Sequence, residues 1–382
     1  MKKRFKMIGM LLVIFFIASG CNKNTTSLPL VDSKKEVIID TDMGFDDWMA
    51  VLFLLRSDDI IVKGITINCT GLTYCSQGAL NASKLLSLVV DNKPQYNNMP
   101  IYYGATPTDT LNYVYPKILR DEVSVFNVPG FKDLKANGLY KDGAGEFIYN
   151  MLTQASKEKK QFHFISLGTS TNFAQAINIA KENNKLDLFK GGLAMYYKGG
   201  GVFGEIIDGK VTNNNIKGNI NIPNLHPSTN TQAEWNIYPD AIAHEVLIQN
   251  KIPQTFIPLN LTKDVPMTEE SWKYLDKNAK SLSAKFVAAA VYTMGTAQNW
   301  EGLEYWDPAV AFAILYPEEV KKSFKDISIC VDTTNDIKFH GTTYIDIDYT
   351  CKKIDEKTYH ANIYYKLNSS KIFYDTLLDV LN

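Results

Sequence analysis

Val37-Ile38-Ile39-Asp40-Thr41-Asp42-Met43-Gly44-Phe45-Asp46-Asp47 is the stretch that decides the fold. Three apolar residues run straight into an acidic turn, and Trp48, Val51, Leu52 and Leu55 then mark one helical face. An apolar run without alternation suits a strand buried on both faces, and a helix directly after it is half of a βαβ unit. The pattern repeats outward from here. Residues 60–66, 101–103, 162–167, 193–196 and 255–257 read as strands, and helices are expected over 79–90, near 144–155, from Asn172 and over 241–248. The expected fold class is α/β, a mainly parallel open sheet with helices on both faces. Beyond about residue 325, the runs 327–331, 342–348 and 361–365 read as a small antiparallel C-terminal extension. Residues 213–230, dense in Asn and interrupted by Pro223 and Pro227, are expected to form a long loop.

Composition narrows the class. The chain has 382 residues, 45% of them hydrophobic and 21% charged, which excludes a disordered or collagen-like protein. Lys and Arg total 40 against 41 Asp and Glu, for a net charge of -1. Without a clustered excess of base, nucleic acid is not an expected partner. The first residues read as an address: Lys2, Lys3, Arg4 and Lys6 precede an apolar run from Met7 to Ala18, then Ser19-Gly20-Cys21. The run is shorter than the roughly 20 residues that span a bilayer, and its layout is that of a secretory signal. Ser19-Gly20-Cys21 resembles a bacterial lipobox, which implies cleavage before Cys21 and lipidation of it. The expected organisation is a signal peptide over 1–20, a polar tether over 21–35 and one domain over 36–382, lipid-anchored in a bacterial cell envelope. Cys69, Cys75, Cys330 and Cys351 fit no zinc spacing. They remain open between free thiols and disulfides, with three connectivities, and Cys330 and Cys351 each end a β-like run.

Four carboxylates within eight residues, Asp40, Asp42, Asp46 and Asp47, repel one another, the more so if buried. Either Asp46 and Asp47 stabilise the start of the helix while Asp40 and Asp42 stay solvated, or a divalent cation neutralises the group. Oxygen donors without His or Cys favour Ca²⁺ or Mg²⁺ over Zn²⁺. Haloacid-dehalogenase phosphatases also place Asp-x-Asp after a first strand. They want Thr or Val where this chain has Gly44, and have no use for the Asp46-Asp47 pair.

The segment resembles instead the Asp-x-Asp-Pro-Gly-x-Asp-Asp signature of the nucleoside hydrolases, the inosine–uridine-preferring N-ribohydrolase family, with Met43 in place of Pro. Leu167-Gly168-Thr169-Ser170-Thr171-Asn172 is similar to the family's Leu-Gly-Pro-Leu-Thr-Asn. Ala233-Glu234-Trp235-Asn236 is similar to Ala-Glu-Phe-Asn, and Trp306-Asp307-Pro308 to His-Asp-Pro. The resemblance implies a Rossmann-like nucleoside hydrolase fold and a Ca²⁺ cofactor held by Asp42, Asp47, Asp307 and the backbone carbonyl of Thr171. It implies a ribonucleoside substrate whose N-glycosidic bond is hydrolysed to free base and ribose, with Asp42 as general base. Asp46, Asn219, Glu234 and Asn236 would bind the sugar, and Asp40 would support the cluster from behind. The expected partners are then a small-molecule ribonucleoside and a membrane reached through the N-terminal lipid; a homo-oligomer is compatible with this.

Two departures bear on the chemistry. Trp306 stands where many members carry a His that can protonate the leaving base; an indole can instead stack on the base. The family's sugar-binding Asn of the second strand falls on Gly71, leaving Asn68 as the nearby substitute. These changes keep two further readings open: a nucleoside- or ribose-binding lipoprotein without efficient turnover, and hydrolysis of a related N-riboside. His163, His226, His244, His340 and His360 lie outside the motifs and read as structural, with His226 the one placed to be a loop-borne acid.

Overall fold

The side chains of the first strand settle the layering. In the computed structural model, Val37 and Ile39 join the core on one side of the sheet while Ile38 joins the core on the other. Successive strand side chains point to opposite faces, so an unbroken apolar run buries both. The structure describes residues 34–104, 114–207, 210–213, 217–222, 225–346, 350–353 and 358–382. The expected signal peptide, Cys21 and nearly all of the tether lie outside these residues, and no helix among those described is long and apolar enough to cross a membrane.

The strands are β1 (Lys35–Thr41), β2 (Ile60–Ile67), β3 (Ile101–Tyr103), β4 (Tyr140–Asp142), β5 (Phe162–Ser166) and β6 (Leu193–Gly199), followed by β7 (Glu205–Ile207), β8 (Lys210–Asn213), β9 (Gln254–Ile257), β10 (Val320–Val331), β11 (Thr343–Ile345) and β12 (Tyr359–Leu367). Ten of them form one sheet in the order β11-β10-β12-β9-β6-β5-β1-β2-β3-β4, and β7 pairs with β8 in a separate ribbon. From β4 to β12 the neighbours are parallel. Only β10 runs antiparallel, between β11 and β12. The expected parallel sheet and antiparallel C-terminal edge are both present.

The order fixes where a ligand belongs. From β1 the chain winds outward through β2, β3 and β4, then returns to the other side of β1 as β5 and winds the opposite way. The crevice beyond the carboxyl ends of β1 and β5 is thus the switch point where open α/β sheets bind ligands. One face is covered by the helices Phe45–Arg56, Leu282–Ala297, Trp306–Leu315 and Ser370–Leu381. The other carries Ala144–Lys157, Thr171–Glu182, Leu186–Gly191 and Ala241–Gln249.

Several details differ from expectation. The second helix is Cys75–Leu86, earlier than 79–90, with turns carrying the chain on. The helices Lys117–Ser124, Glu269–Asn278, Leu282–Ala297 and Ser370–Leu381 were not anticipated. Cys351 sits in the short helix Thr350–Lys353 rather than on a strand, yet it pairs with Cys330, and Cys69 pairs with Cys75.

Candidate functional site

At the switch point β1 ends and the acidic turn begins. Met43 adopts φ +56° and its amide donates to the Thr41 hydroxyl at 3.0 Å. Proline, fixed near −65° and without an amide hydrogen, cannot take that conformation, so this chain builds the turn with a different residue. The turn delivers Asp42, which is buried and accepts the Leu72 amide at 2.7 Å. The following helix then starts with Asp46 and Asp47 in its first turn. Asp47 accepts the Gly44 amide at 2.9 Å and the Thr41 hydroxyl, so it does stabilise the helix start.

The structure resolves the choice between capping and clustering in favour of both. Carboxylate oxygens of Asp46, Asp47 and Asp307 lie within 4.8 Å of one another. Asp307 arrives from the first turn of Trp306–Leu315, so two helix N-termini converge on the same acids. Their dipoles favour anions, yet burial outweighs them. Burial, then the charge of Asp42, pushes the Asp46 carboxyl up to about 7. Asp47 is driven well upward by burial and then by Asp307, and Asp307 by burial and then by Asp46. Burial also raises Asp42. Buried like charges at this spacing cannot all ionise unless a cation joins them, and an all-oxygen donor set suits a hard divalent ion.

The acids form the floor of a cavity of about 490 Å³. Asp42, Asp46, Asp47, Asn219, Glu234, Asn236, Trp306 and Asp307 all line it, so residues separated by up to 265 positions, from Asp42 to Asp307, share one chamber. Glu234 accepts amides from Gly201 at 2.8 Å and Asn236 at 2.9 Å, and burial raises its carboxyl to about 7. Asn236 donates to the carbonyls of Leu167 at 2.8 Å and Gly199 at 3.1 Å. Asn219 holds the loop by accepting the Trp235 amide at 3.0 Å. Trp306 lines the cavity wall.

Thr171 is the exception. It is the first residue of its helix, and its hydroxyl pairs with Asp240 at 2.6 Å, Thr70 and Thr169. From this stretch it is Leu167 that lines the cavity. Asn68 is also redirected: it is buried and its amide donates to Thr169 O at 2.6 Å, so it is no sugar contact. Gly71 is explained by geometry, because a Cβ there would overlap the Asp42 carboxylate. His226 bonds Ile220 O at 2.8 Å and meets the edge of Trp235, and no histidine lines the cavity among the described residues. Asp40 is buried and held by Thr66, Asn172 at 2.7 Å and Asn68, with burial raising it to about 6.

Sequence reasoning missed two residues. Tyr115 lines the cavity and stacks on Trp235, with ring centroids 4.1 Å apart; burial, then Asp42 and Glu234, keeps its phenol protonated. Lys198 is fully buried and donates to the Gly168 carbonyl. Burial lowers its ammonium to about 8, opposed by Glu234, Asp40, Asp42 and Asp307. A lone lysine at the end of the apolar run 193–197 was the available signal.

Comparison with known proteins agrees with this geometry. The model of the inosine-uridine preferring nucleoside hydrolase family matches residues 37–374. A probable uridine nucleosidase 2 of Arabidopsis thaliana is 24% identical over 294 residues, covering 75% of this chain and 79% of the relative. The crystal structure of an inosine-uridine preferring nucleoside hydrolase from Bacillus anthracis is similar with a TM-score of 0.69 at 17% identity, over 91% of this chain and 99% of that one. A purine-preferring ribonucleoside hydrolase from Gardnerella vaginalis gives 0.64 at 21% identity, over 91% and 98%. With the match running from the first strand into the last helix, the chain belongs to the inosine-uridine preferring nucleoside hydrolase family and is a hydrolase of that kind.

Proposed function

We propose that the protein is a Ca²⁺-dependent nucleoside N-ribohydrolase, releasing free base and ribose. The observation that carries this is the meeting of Asp46, Asp47 and Asp307 beside Asp42, under the polar groups Glu234 and Asn236, in one cavity. Asp42, Asp47 and Asp307 would hold the cation. When bound, Ca²⁺ would neutralise these acids and lower the cost of deprotonating a water.

The rest of the chemistry belongs to the chain. Breaking the C1′–N bond builds positive charge on the sugar, as in O-glycoside cleavage. A carboxylate-rich floor stabilises that charge where water cannot screen it. Asp42, oriented by the Leu72 amide, takes the proton of the attacking water. Asp46 accepts from a ribose hydroxyl, and Glu234, Asn236 and Asn219 pair with the remaining ones. Trp306 offers a face for the base to stack on, which suits purines better than pyrimidines.

A binding protein without turnover is the second reading, favoured by the lack of a lining histidine among the described residues. The test is reducing-sugar release from a panel of purine and pyrimidine ribosides, with and without chelator, for the purified chain and Asp42→Asn. Chelator-sensitive release, lowered in the variant, is expected. Saturable binding with no release would establish the second reading, and release indifferent to both treatments would refute the mechanism. Lipid attachment at Cys21 is likewise a proposal; the mass of the mature N-terminus tests it.

A further inference from the structure

Asp42 is held differently from its neighbours. Asp47 is anchored within its own turn, by Gly44 and Thr41. The side chain of Asp42 instead takes its backbone donor, the Leu72 amide, from an irregular loop thirty residues on. That loop wraps the residue: Thr73 donates from its amide at 3.1 Å and its hydroxyl at 2.8 Å to the Asp42 carbonyl, and Gly71 packs against the carboxylate too closely for any Cβ. A loop without regular secondary structure holds such a pose only if something removes its freedom.

Two devices do so independently. The Cys69–Cys75 disulfide closes the loop across six positions, with Gly71 and Leu72 at its apex. From above, one guanidinium nitrogen of Arg120 donates to Cys69 O at 3.0 Å and Thr73 O at 2.9 Å, tying both sides of the loop. The same guanidinium lies over Tyr74, 4.5 Å from the ring centroid. Arg120 belongs to the helix Lys117–Ser124, whose Leu119 and Val123 line the cavity.

We infer that the Cys69–Cys75 disulfide and Arg120 form a clamp that positions Asp42 for cation binding and proton transfer. The inference rests on the role given to Asp42 above. Supports of this kind around a metal-binding carboxylate are worth about 10- to 100-fold in affinity or rate. Because Glu234 and Asn236 are held by Gly201, Leu167 and Gly199 and not by this loop, the sugar-binding groups should survive its loosening.

The experiment compares Cys69→Ser/Cys75→Ser with Cys330→Ser/Cys351→Ser, the latter removing the remote crosslink in the antiparallel edge. Ca²⁺ affinity is read by calorimetry, alongside kcat and KM for a purine riboside. The first double variant should lose about tenfold in Ca²⁺ affinity and in kcat with KM changed less than about twofold. The second should lower the melting temperature while leaving both intact. Arg120→Met should reproduce the first pattern with the disulfide present, and Arg120→Lys should recover part of it. Ca²⁺ affinity and kcat within twofold of the unaltered chain for Cys69→Ser/Cys75→Ser, or equal losses in both double variants, would overturn the clamp. Should the unaltered chain bind Ca²⁺ but cleave no riboside, the proposed function fails while the affinity arm still judges the clamp.

Discussion

The cavity has a floor and a mouth, built on different principles. Three of the floor acids are tied by hydrogen bonds to backbone amides: Asp42 to Leu72, Asp47 to Gly44, Glu234 to Gly201. The mouth is closed by apolar and aromatic packing, with Leu119 and Val123 on one side, Met294 on another, and Tyr115 stacked on Trp235. On the proposed function the floor would set the reaction and tolerate little change, whereas the mouth would set which base is held and tolerate more. That contrast teaches where to look for chemistry and where for preference.

The contrast can be broken most forcefully at the floor. Asp307→Asn removes one of three mutually facing carboxylates, and a loss of several kcal/mol of transition-state stabilisation, about 10³-fold in kcat, is expected. Steady-state riboside hydrolysis in excess Ca²⁺ measures it; an effect below tenfold would place the chemistry elsewhere. Next in size is the turn. Met43→Pro, which restores the residue of the family signature, should destabilise the protein by about 3 kcal/mol, because the ring cannot reach φ +56° and the bond to Thr41 is lost. Denaturant unfolding would show this, and a neutral result would mean that the turn is not built this way.

At the mouth the effects should be smaller. Trp306→Ala should raise KM for purine ribosides about tenfold, the scale of one base–aromatic stack, with a lesser change for pyrimidine ribosides. Equal changes for both classes would remove stacking as the source of preference.

The smallest effect expected is thermal. Asp40, Asp46 and Glu234 are raised by burial to about 6, 7 and 7, so without a cation the folded state keeps protons that the unfolded chain releases near pH 4. Their contribution to stability is complete below that pH and is lost as pH rises towards 7. The melting temperature of the cation-free protein should fall as the pH rises from 5 to 7.5. Saturating Ca²⁺ should reduce the slope, since a cation held by Asp42, Asp47 and Asp307 favours the charged form of Asp46 beside them. A slope indifferent to Ca²⁺ would separate these acids from cation binding.

The same division governs what the amino-acid order revealed. The floor was legible because its residues carry chemistry in short motifs: Asp42 directly follows β1, Glu234 and Asn236 share one short stretch, and Asp307 stands in the first turn of a helix before a proline. The mouth was not. Helix Leu282–Ala297 is apolar around most of its surface and buried on several sides, so it shows no stripe to announce it. Leu119 and Val123 are ordinary core-type residues until the fold turns them inward. Backbone groups have no letter of their own, so the assignment of the Thr171 carbonyl to the cation rested on the motif and on no side chain. The sheet order, which makes the crevice between β1 and β5 the binding place, depends on pairing between distant strands and was legible only as a class.

Calorimetric titration of the purified, chelator-treated chain with Ca²⁺, beside Asp47→Asn, tests the acidic floor most directly. The account predicts one ion per chain for the unaltered protein and at least a hundredfold weaker binding for the variant, about 2.7 kcal/mol. No saturable Ca²⁺ binding, or equal binding by both proteins, would contradict it.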